Sequence, residues 1–167
     1  MRALVQRVES AEVRVDGQVT GRIGPGLLVY LGVAAGDDSA CAARLAEKVA
    51  FLRIFDDAQG KLNLSVRDAG GAVLAVSNFA LLADARKGRR PAFAAAAPPE
   101  IAQPLYDDFV AELRKLGCTV ACGVFRASMA VLSTAVGPVN VIIDYPAPPD
   151  PSPQPQGESP ADSADRT

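Results

Sequence analysis

The stretch from Ala3 to Ile23 limits the possible folds more than any other part of the chain. "ALVQRV" and "AEVRVDGQVTGRI" alternate apolar and polar residues, and Asp16-Gly17 interrupts the second run. A period of two buries one face of a strand, and Asp-Gly supplies the two left-handed residues of a tight hairpin turn. The chain therefore opens with an antiparallel strand pair. "GLLVYLGVA" follows as a continuous apolar run bounded by glycines, the pattern of a strand covered on both faces. Residues 39–52, "SACAARLAEKVAFL", place Cys41, Leu45, Val49 and Leu52 on one helical stripe, with Asp38 or Ser39 as the cap. "GGAVLAVSNFAL" reads as a central strand over Ala72 to Val76 that leaves the sheet at Ser77.

In "PPEIAQPLYDDFVAELRKLG" the residues Ile101, Leu105, Phe109 and Leu113 share one helical face, and Gly117 is the stop signal. Pro104 fits this helix only if the helix starts around it, and the pattern leaves that boundary open. "CTVACGVF", "SMAVLSTAV" and "VNVIIDY" supply three more strands. Two main helices among about seven strands, mostly joined by short turns, predict an α+β fold with a largely antiparallel sheet.

A chain of 167 residues suits one domain with a substantial core. Apolar residues make up 49% of it, yet no apolar run approaches the ~18 residues of a membrane span. The N-terminus starts directly on the alternating pattern without a signal segment, which reads as a soluble, cytoplasmic protein. The net charge is −2, but the segment 146–167 holds Asp150, Glu158, Asp162 and Asp165 against Arg166 alone, a balance of −3. The body, residues 1–145, is thus close to +1 (−2 minus −3). The Pro-rich acidic segment 146–167 has too little apolar surface to offset chain entropy and is expected to be disordered.

Cys41, Cys118 and Cys122 form no zinc pattern, since a lone Cys-x-x-x-Cys lacks a second ligand pair. They read as buried thiols, and no metal or cofactor is expected. The chain has no histidine at all. That count removes every His-dependent nucleophile relay and leaves carboxylates, lysine, the backbone or a substrate group for any chemistry near neutral pH.

Three places depart from ordinary sheet-and-helix logic. "VSNFALLAD" ends a strand in Ser-Asn, where main-chain N–H groups leaving the ladder can hold an oxyanion; a plain turn explains the same residues. "ARKGRRPAF" clusters Arg86, Lys87, Arg89 and Arg90 before Phe93, a match for phosphate neutralisation and base stacking, or simply a solvated loop. Gly137-Pro138 opens the run "VNVIID", where a proline belongs at an edge, a first residue or a bulge. Composition does not decide whether that bond is cis or trans.

Taken together, "MRALVQRVESAEVRVDGQVTGRIGPGLLVYLGV", "RIFDDAQGKLNLSV", "GRRPAF", "LYDDFV" and "GVFRASMAVLSTAVGPVNV" resemble the D-aminoacyl-tRNA deacylase family over about residues 1–145. The resemblance implies a barrel-like deacylase fold and a metal-free cytoplasmic homodimer. It also implies hydrolysis of the ester joining a D-amino acid to the terminal adenosine of tRNA, and of glycine mischarged on alanine tRNA. Catalysis would fall to Ser77, Asn78, Phe79 and Ala80, with the 2′-hydroxyl of the terminal ribose activating water. Gly137 and Pro138, in a cis bond, would reach the partner subunit's site and hold the substrate ammonium so that an L side chain collides with backbone. Arg7 matches an arginine that braces this loop, Met129 a residue near the pocket, and Phe93 a contact to adenosine.

Two signatures depart from the family pattern. Ser-Gln-x-Thr-Leu reads Ser77-Asn78-Phe79-Ala80-Leu81 here, and Asn-x-Gly-Pro-x-Thr reads Ala135-Val136-Gly137-Pro138-Val139-Asn140. Ala80 has no hydroxyl, so a threonine nucleophile is excluded, while the N–H groups of Phe79 and Ala80 survive any side-chain change. Asn78 is one methylene shorter than glutamine. These departures keep two alternatives open: a non-catalytic module that binds the tRNA 3′ end, and a mischarged-tRNA deacylase with relaxed chirality.

Overall fold

The computed structural model describes residues 1–86 and 88–146. Lys87 and all of the predicted disordered extension except Pro146 lie outside the described residues. The elements run β1 (Arg2–Val15), β2 (Gln18–Ile23), β3 (Gly26–Gly32), α1 (Ser39–Ala50), β4 (Phe55–Asp56), β5 (Leu62–Leu64), β6 (Ala72–Ser77), a 3-10 turn (Phe79–Leu82), α2 (Pro99–Lys115), β7 (Thr119–Cys122) and β8 (Ala130–Asp144).

The opening hairpin forms as its turn residues dictate. Asp16 and Gly17 both take positive φ, at 50° and 79°, and Val15 pairs with Gln18 across them. β1 is long enough to serve several partners: its first half pairs with β3, its second half with β2, and β8 runs along its length. All of these pairs are antiparallel. Beyond them the sheet changes sense, because β6 lies parallel to both β3 and β7. The fold is the expected α+β class, with a mixed sheet in the order β2-β1-β3-β6-β7.

Parallel strands need cover on both faces, and alternation along β3 and β6 provides it. Leu27, Val29, Leu31, Val73 and Ala75 join the core under α1 and α2. Leu28, Leu74 and Val76 point the other way, into a second cluster with Val8, Val13 and Ile23 inside the curled sheet. The curl brings the two ends of the sheet together. A Cβ on Gly21 of β2 would meet the Cys122 carbonyl oxygen of β7 at 2.4 Å, so the barrel nearly closes where only glycine permits the approach.

Asp38, the first of the two expected caps, holds α1: its Oδ1 accepts from the Cys41 N–H at 2.8 Å. The buried stripe of α1 is Ala42, Leu45, Ala46, Val49 and Ala50, with Cys41 and Leu52 on its flank. α2 starts at Pro99, five residues ahead of Pro104. Pro104 and Glu100 are both exposed, so water can serve the carbonyl that the proline leaves without an N–H. Ile101, expected on the apolar stripe, is exposed; the stripe is Leu105, Tyr106, Phe109, Val110 and Leu113.

The two C-terminal strands expected from "SMAVLSTAV" and "VNVIIDY" are one strand, β8. Pairing jumps from Gln6↔Asn140 to Val8↔Ala135, so residues 136–139 swing out opposite Arg7 alone. Pro138 therefore sits in a bulge, one of the places where a missing N–H breaks no ladder. Phe109 is fully buried where the helices meet the sheet. Phe109→Ala should cost about 3–5 kcal/mol, read as a lower urea midpoint with unchanged slope.

Candidate functional site

β6 leaves the sheet at Ser77, whose partner in the last rung is Leu31. One further bond, from the Asn78 N–H to the Leu31 carbonyl at 2.8 Å, fixes the start of the next segment. Asn78 is extended, at φ −148°, and the chain then makes the single 3-10 turn. Its side chain caps that turn: the Ala80 N–H donates to Asn78 Oδ1 at 3.0 Å. One of the two expected main-chain donors is thus engaged by this chain's own asparagine and must exchange partners to hold an anion. The far end of the turn is also tied down. Arg2 donates to the Leu81 carbonyl at 3.2 Å while its Nε and Nη2 grip Asp144 at 2.7 and 3.0 Å.

Beside this segment lies a cavity of about 410 Å³. Ser77, Asn78 and Phe79 line it together with Met129, Leu31 and Val33, with Ala102 and Tyr106 from α2, and with Phe125 and Arg126 from the turn before β8. Most of these contributors are apolar, so the cavity suits a flat or hydrocarbon group with few fixed polar contacts. The Tyr106 hydroxyl donates to the Ala75 carbonyl at 3.0 Å. Burial pushes that hydroxyl up and keeps it protonated, which makes it a structural wall and not a base. Burial likewise raises the Cys41 and Cys118 thiols, so neither is primed as a nucleophile.

Phe93 stands just outside, its ring edge against Phe79 with centroids 5.0 Å apart, and both residues are exposed. In the basic loop Arg86 is bonded to Asp84 at 2.7 Å and draws that carboxyl down to about 2. Arg89 and Arg90 are exposed. Among the described residues no three His, Cys, Asp or Glu side chains gather as a metal site.

Gly137, Pro138 and Arg7 form a second locus, and none of them lines the cavity of their own chain. Arg7 is buried. Its Nη1 donates to the Ile54 carbonyl at 2.9 Å and to Asp56 at 3.1 Å, and its Nε to the Val136 carbonyl at 3.4 Å. The Gly137–Pro138 peptide is cis, and Gly137 has φ +111°. A Cβ there would lie 2.8 Å from the Val139 side chain and 3.2 Å from Arg7 Nη2, so the position requires glycine twice over.

The sequence reading therefore names residues that fall in two places: Ser77, Asn78, Phe79 and Met129 at the cavity, with Ala80 and Phe93 beside them, and Gly137 and Pro138 in the bulge with Arg7 opposite. It missed Tyr106, Phe125 and Arg126. Tyr106 could have been found as the polar-tipped aromatic next to Leu105 on the apolar stripe. Arg126 gave no signal.

As a class, the fold and the site define a mixed, nearly closed β-barrel carrying an apolar cavity beside main-chain donors at a strand exit. The profile of the D-Tyr-tRNA(Tyr) deacylase family matches residues 4–144. A curated D-aminoacyl-tRNA deacylase of Anaeromyxobacter dehalogenans is 58% identical over 144 residues, covering 86% of this chain and 97% of that protein. Another, of Symbiobacterium thermophilum, is 56% identical over 144 residues, covering 86% and 95%. The solved structure of a c-Myc DNA Unwinding Element Binding Protein is 37% identical and superposes with a TM-score of 0.84 over 88% of this chain and 100% of that one. This chain belongs to the D-Tyr-tRNA(Tyr) deacylase family, as its resemblance implied.

Arg7 gives the site its first stability test. Arg7→Met keeps the apolar stem but strands the Ile54 carbonyl and frees the bulge. A loss of about 1.5–3 kcal/mol is expected in urea denaturation, the usual worth of buried bonds to a charged group.

Proposed function

We propose that this chain hydrolyses the ester between a D-amino acid, or glycine, and the terminal adenosine of tRNA. The observation that carries the reading is the strand exit at Ser77–Ala80 beside an apolar cavity, in a chain of this family. Ester cleavage needs a nucleophile and a place for the negative oxygen of the tetrahedral intermediate. With no histidine in the chain and no hydroxyl at Ala80, water serves as nucleophile and the 2′-hydroxyl of the terminal ribose activates it. The water oxygen bonds to the ester carbon, the bond to the ribose oxygen breaks, and the proton the water gives up passes through the 2′-hydroxyl to that oxygen, which leaves as a hydroxyl.

The main-chain N–H groups of Phe79 and Ala80 hold the oxyanion. Ala80 gives up Asn78 Oδ1 for it, because a bond to a charged acceptor is about twice as strong as one to a neutral amide. Phe93 stacks on the adenosine and Met129 borders it.

Chirality is sorted across a homodimer interface. β8 presents a long exposed strand bearing Leu132, Val136 and Ile142, a surface suited to a second copy. The carbonyls of Gly137 and Pro138, steadied from below by Arg7, accept from the substrate ammonium in the partner's cavity. With the ammonium and the ester both fixed, an L side chain meets backbone, a D side chain points outward, and glycine passes. A translation substrate places this work in the cytoplasm.

A second reading draws on the capped Ala80 N–H: a module that binds the tRNA end without turning it over. Incubation with D-tyrosyl-tRNA and L-tyrosyl-tRNA separates the outcomes. Fast loss of the D ester alone supports the deacylase, binding without loss supports the module, and loss of both esters marks a relaxed editor.

Two substitutions probe the mechanism. Ala80→Thr should change the D-ester rate by less than about tenfold, well short of the roughly 10²–10³ that an oxyanion donor supplies. A gain on that larger scale would return the chemistry to a side chain. Gly137→Ala forces a side chain into a left-handed backbone against Val139 and Arg7 and moves the carbonyls. The ratio of D- to L-ester hydrolysis should fall by up to about 10²-fold, the usual cost of a small misplacement at a reacting centre. An unchanged ratio would remove the carbonyl filter.

A further inference from the structure

The turn Val124–Ala127 forms part of the rim of the cavity, closed by the Ala127 N–H donating to the Val124 carbonyl at 3.2 Å. Arg126 occupies it at φ +63°, in the left-handed region where glycine is the default and asparagine or aspartate the usual exceptions. Among the described residues, Asp16 of the opening hairpin is the other non-glycine residue at positive φ, and Asp-Gly is what that hairpin turn calls for. Arg126 has no such local reason. A long, costly side chain held in an unfavourable backbone at the mouth of a cavity points to a task for that side chain.

Its surroundings narrow the task. Arg126 is the one charged residue lining the cavity, which Ser77, Asn78 and Phe79 also line. It is exposed, and among the described residues no carboxylate lies within ion-pair distance of it. Arg86, by contrast, is matched to Asp84. The guanidinium is therefore available to an anion at the entrance, while the interior behind it is apolar. A ligand that fits both has an uncharged, flat end joined to an anion that stays outside.

We propose that Arg126 binds the phosphodiester immediately 5′ of the terminal nucleoside whose ester enters the cavity, so that it selects an RNA-borne ester over a free aminoacyl nucleoside. The inference rests on the function proposed above and adds a specificity-determining residue to it. A guanidinium presents paired donors that match phosphate oxygens, whereas the main-chain donors of the cavity can read only the ester. The same contact fixes how far the RNA end can enter, which sets the ester carbon against the strand exit.

The test uses two non-hydrolysable ligands: a D-tyrosyl 3′-amide on a short oligonucleotide ending in cytidine-cytidine-adenosine, and the same amide on adenosine, which carries no phosphate. Binding to the wild type, Arg126→Gly and Arg126→Lys is followed across a salt series. Arg126→Gly should bind the oligonucleotide about tenfold more weakly at low salt, with a log–log salt slope shallower by about 0.7, one contact to a single strand. It should bind the adenosine ligand like the wild type and melt at an equal or higher temperature, since glycine suits the backbone. Arg126→Lys should recover most of the lost affinity. An unchanged oligonucleotide affinity and slope, or an equal loss on both ligands, would overturn the inference. Wild-type protein that binds both ligands yet never cleaves D-tyrosyl-tRNA would overturn the catalytic reading alone and leave the phosphate contact standing.

Discussion

The hydrogen bond from the Asn78 N–H to the Leu31 carbonyl, at 2.8 Å, is the point where the sheet becomes the site. Everything upstream of it is rigid for identifiable reasons. β3 and β6 are buried on both faces, one under the helices and one inside the curl of the sheet. Their parallel register is held by contacts that glycine alone allows; a Cβ on Gly26 would stand 1.9 Å from the Ala72 carbonyl oxygen. The residues after Ser77 therefore leave the ladder from a fixed origin. Donors set by a strand end keep their direction far better than donors on a free loop, and that precision matters when the acceptor is a developing charge.

A second constraint is the burial of Arg7. Inward-facing positions on the first half of β1 are Ala3, Val5 and then Arg7, so a guanidinium occupies a slot that alternation reserves for an apolar side chain. Its bonds to Ile54, Asp56 and Val136 answer the cost of burying it. They also link the segment after α1 to the bulge of β8. Removing a charge that is satisfied on several sides is far worse than never having placed it there.

What could be read in the sequence follows the range of the interactions involved. The Asp16-Gly17 hairpin, the Asp38 cap and the stop at Gly117 are set by neighbours in the chain, and each forms as expected. The parallel pairing of β6 with both β3 and β7 depends on partners far apart in sequence, and no local pattern announces it. β8 reads as two strands because Gly137-Pro138 is a genuine interruption; the structure absorbs it as a bulge against a continuous β1. Ile101 matches the helical period yet lies on the first turn of α2, before the helix reaches the core. At the site, the strand exit was legible as a place where donors leave the sheet. The inward turn of Asn78 was not, because side-chain length says nothing about which of two nearby donors it will find. Arg7 did carry a signal, a charge on the buried phase of an alternating strand.

The cap of Asn78 on Ala80 gives the departures from the family signature a physical meaning. Ala80 is exposed, so without the asparagine its N–H would turn to water and would not be stranded. What the asparagine adds is direction: its cap holds the 3-10 turn in shape. The same bond is neutral on both sides, worth only about 0.5–1.5 kcal/mol net, so the proposed oxyanion, with a charge-assisted bond, would displace it. A longer amide would not need to fold back on its own turn, and a hydroxyl at position 80 would add a polar side chain to that turn. With Asn78 and Ala80 in those places, the polar chemistry of the segment is concentrated in the main chain. In the proposed reaction the Asn78 side chain shapes the turn, and the groups that act are main-chain N–H groups.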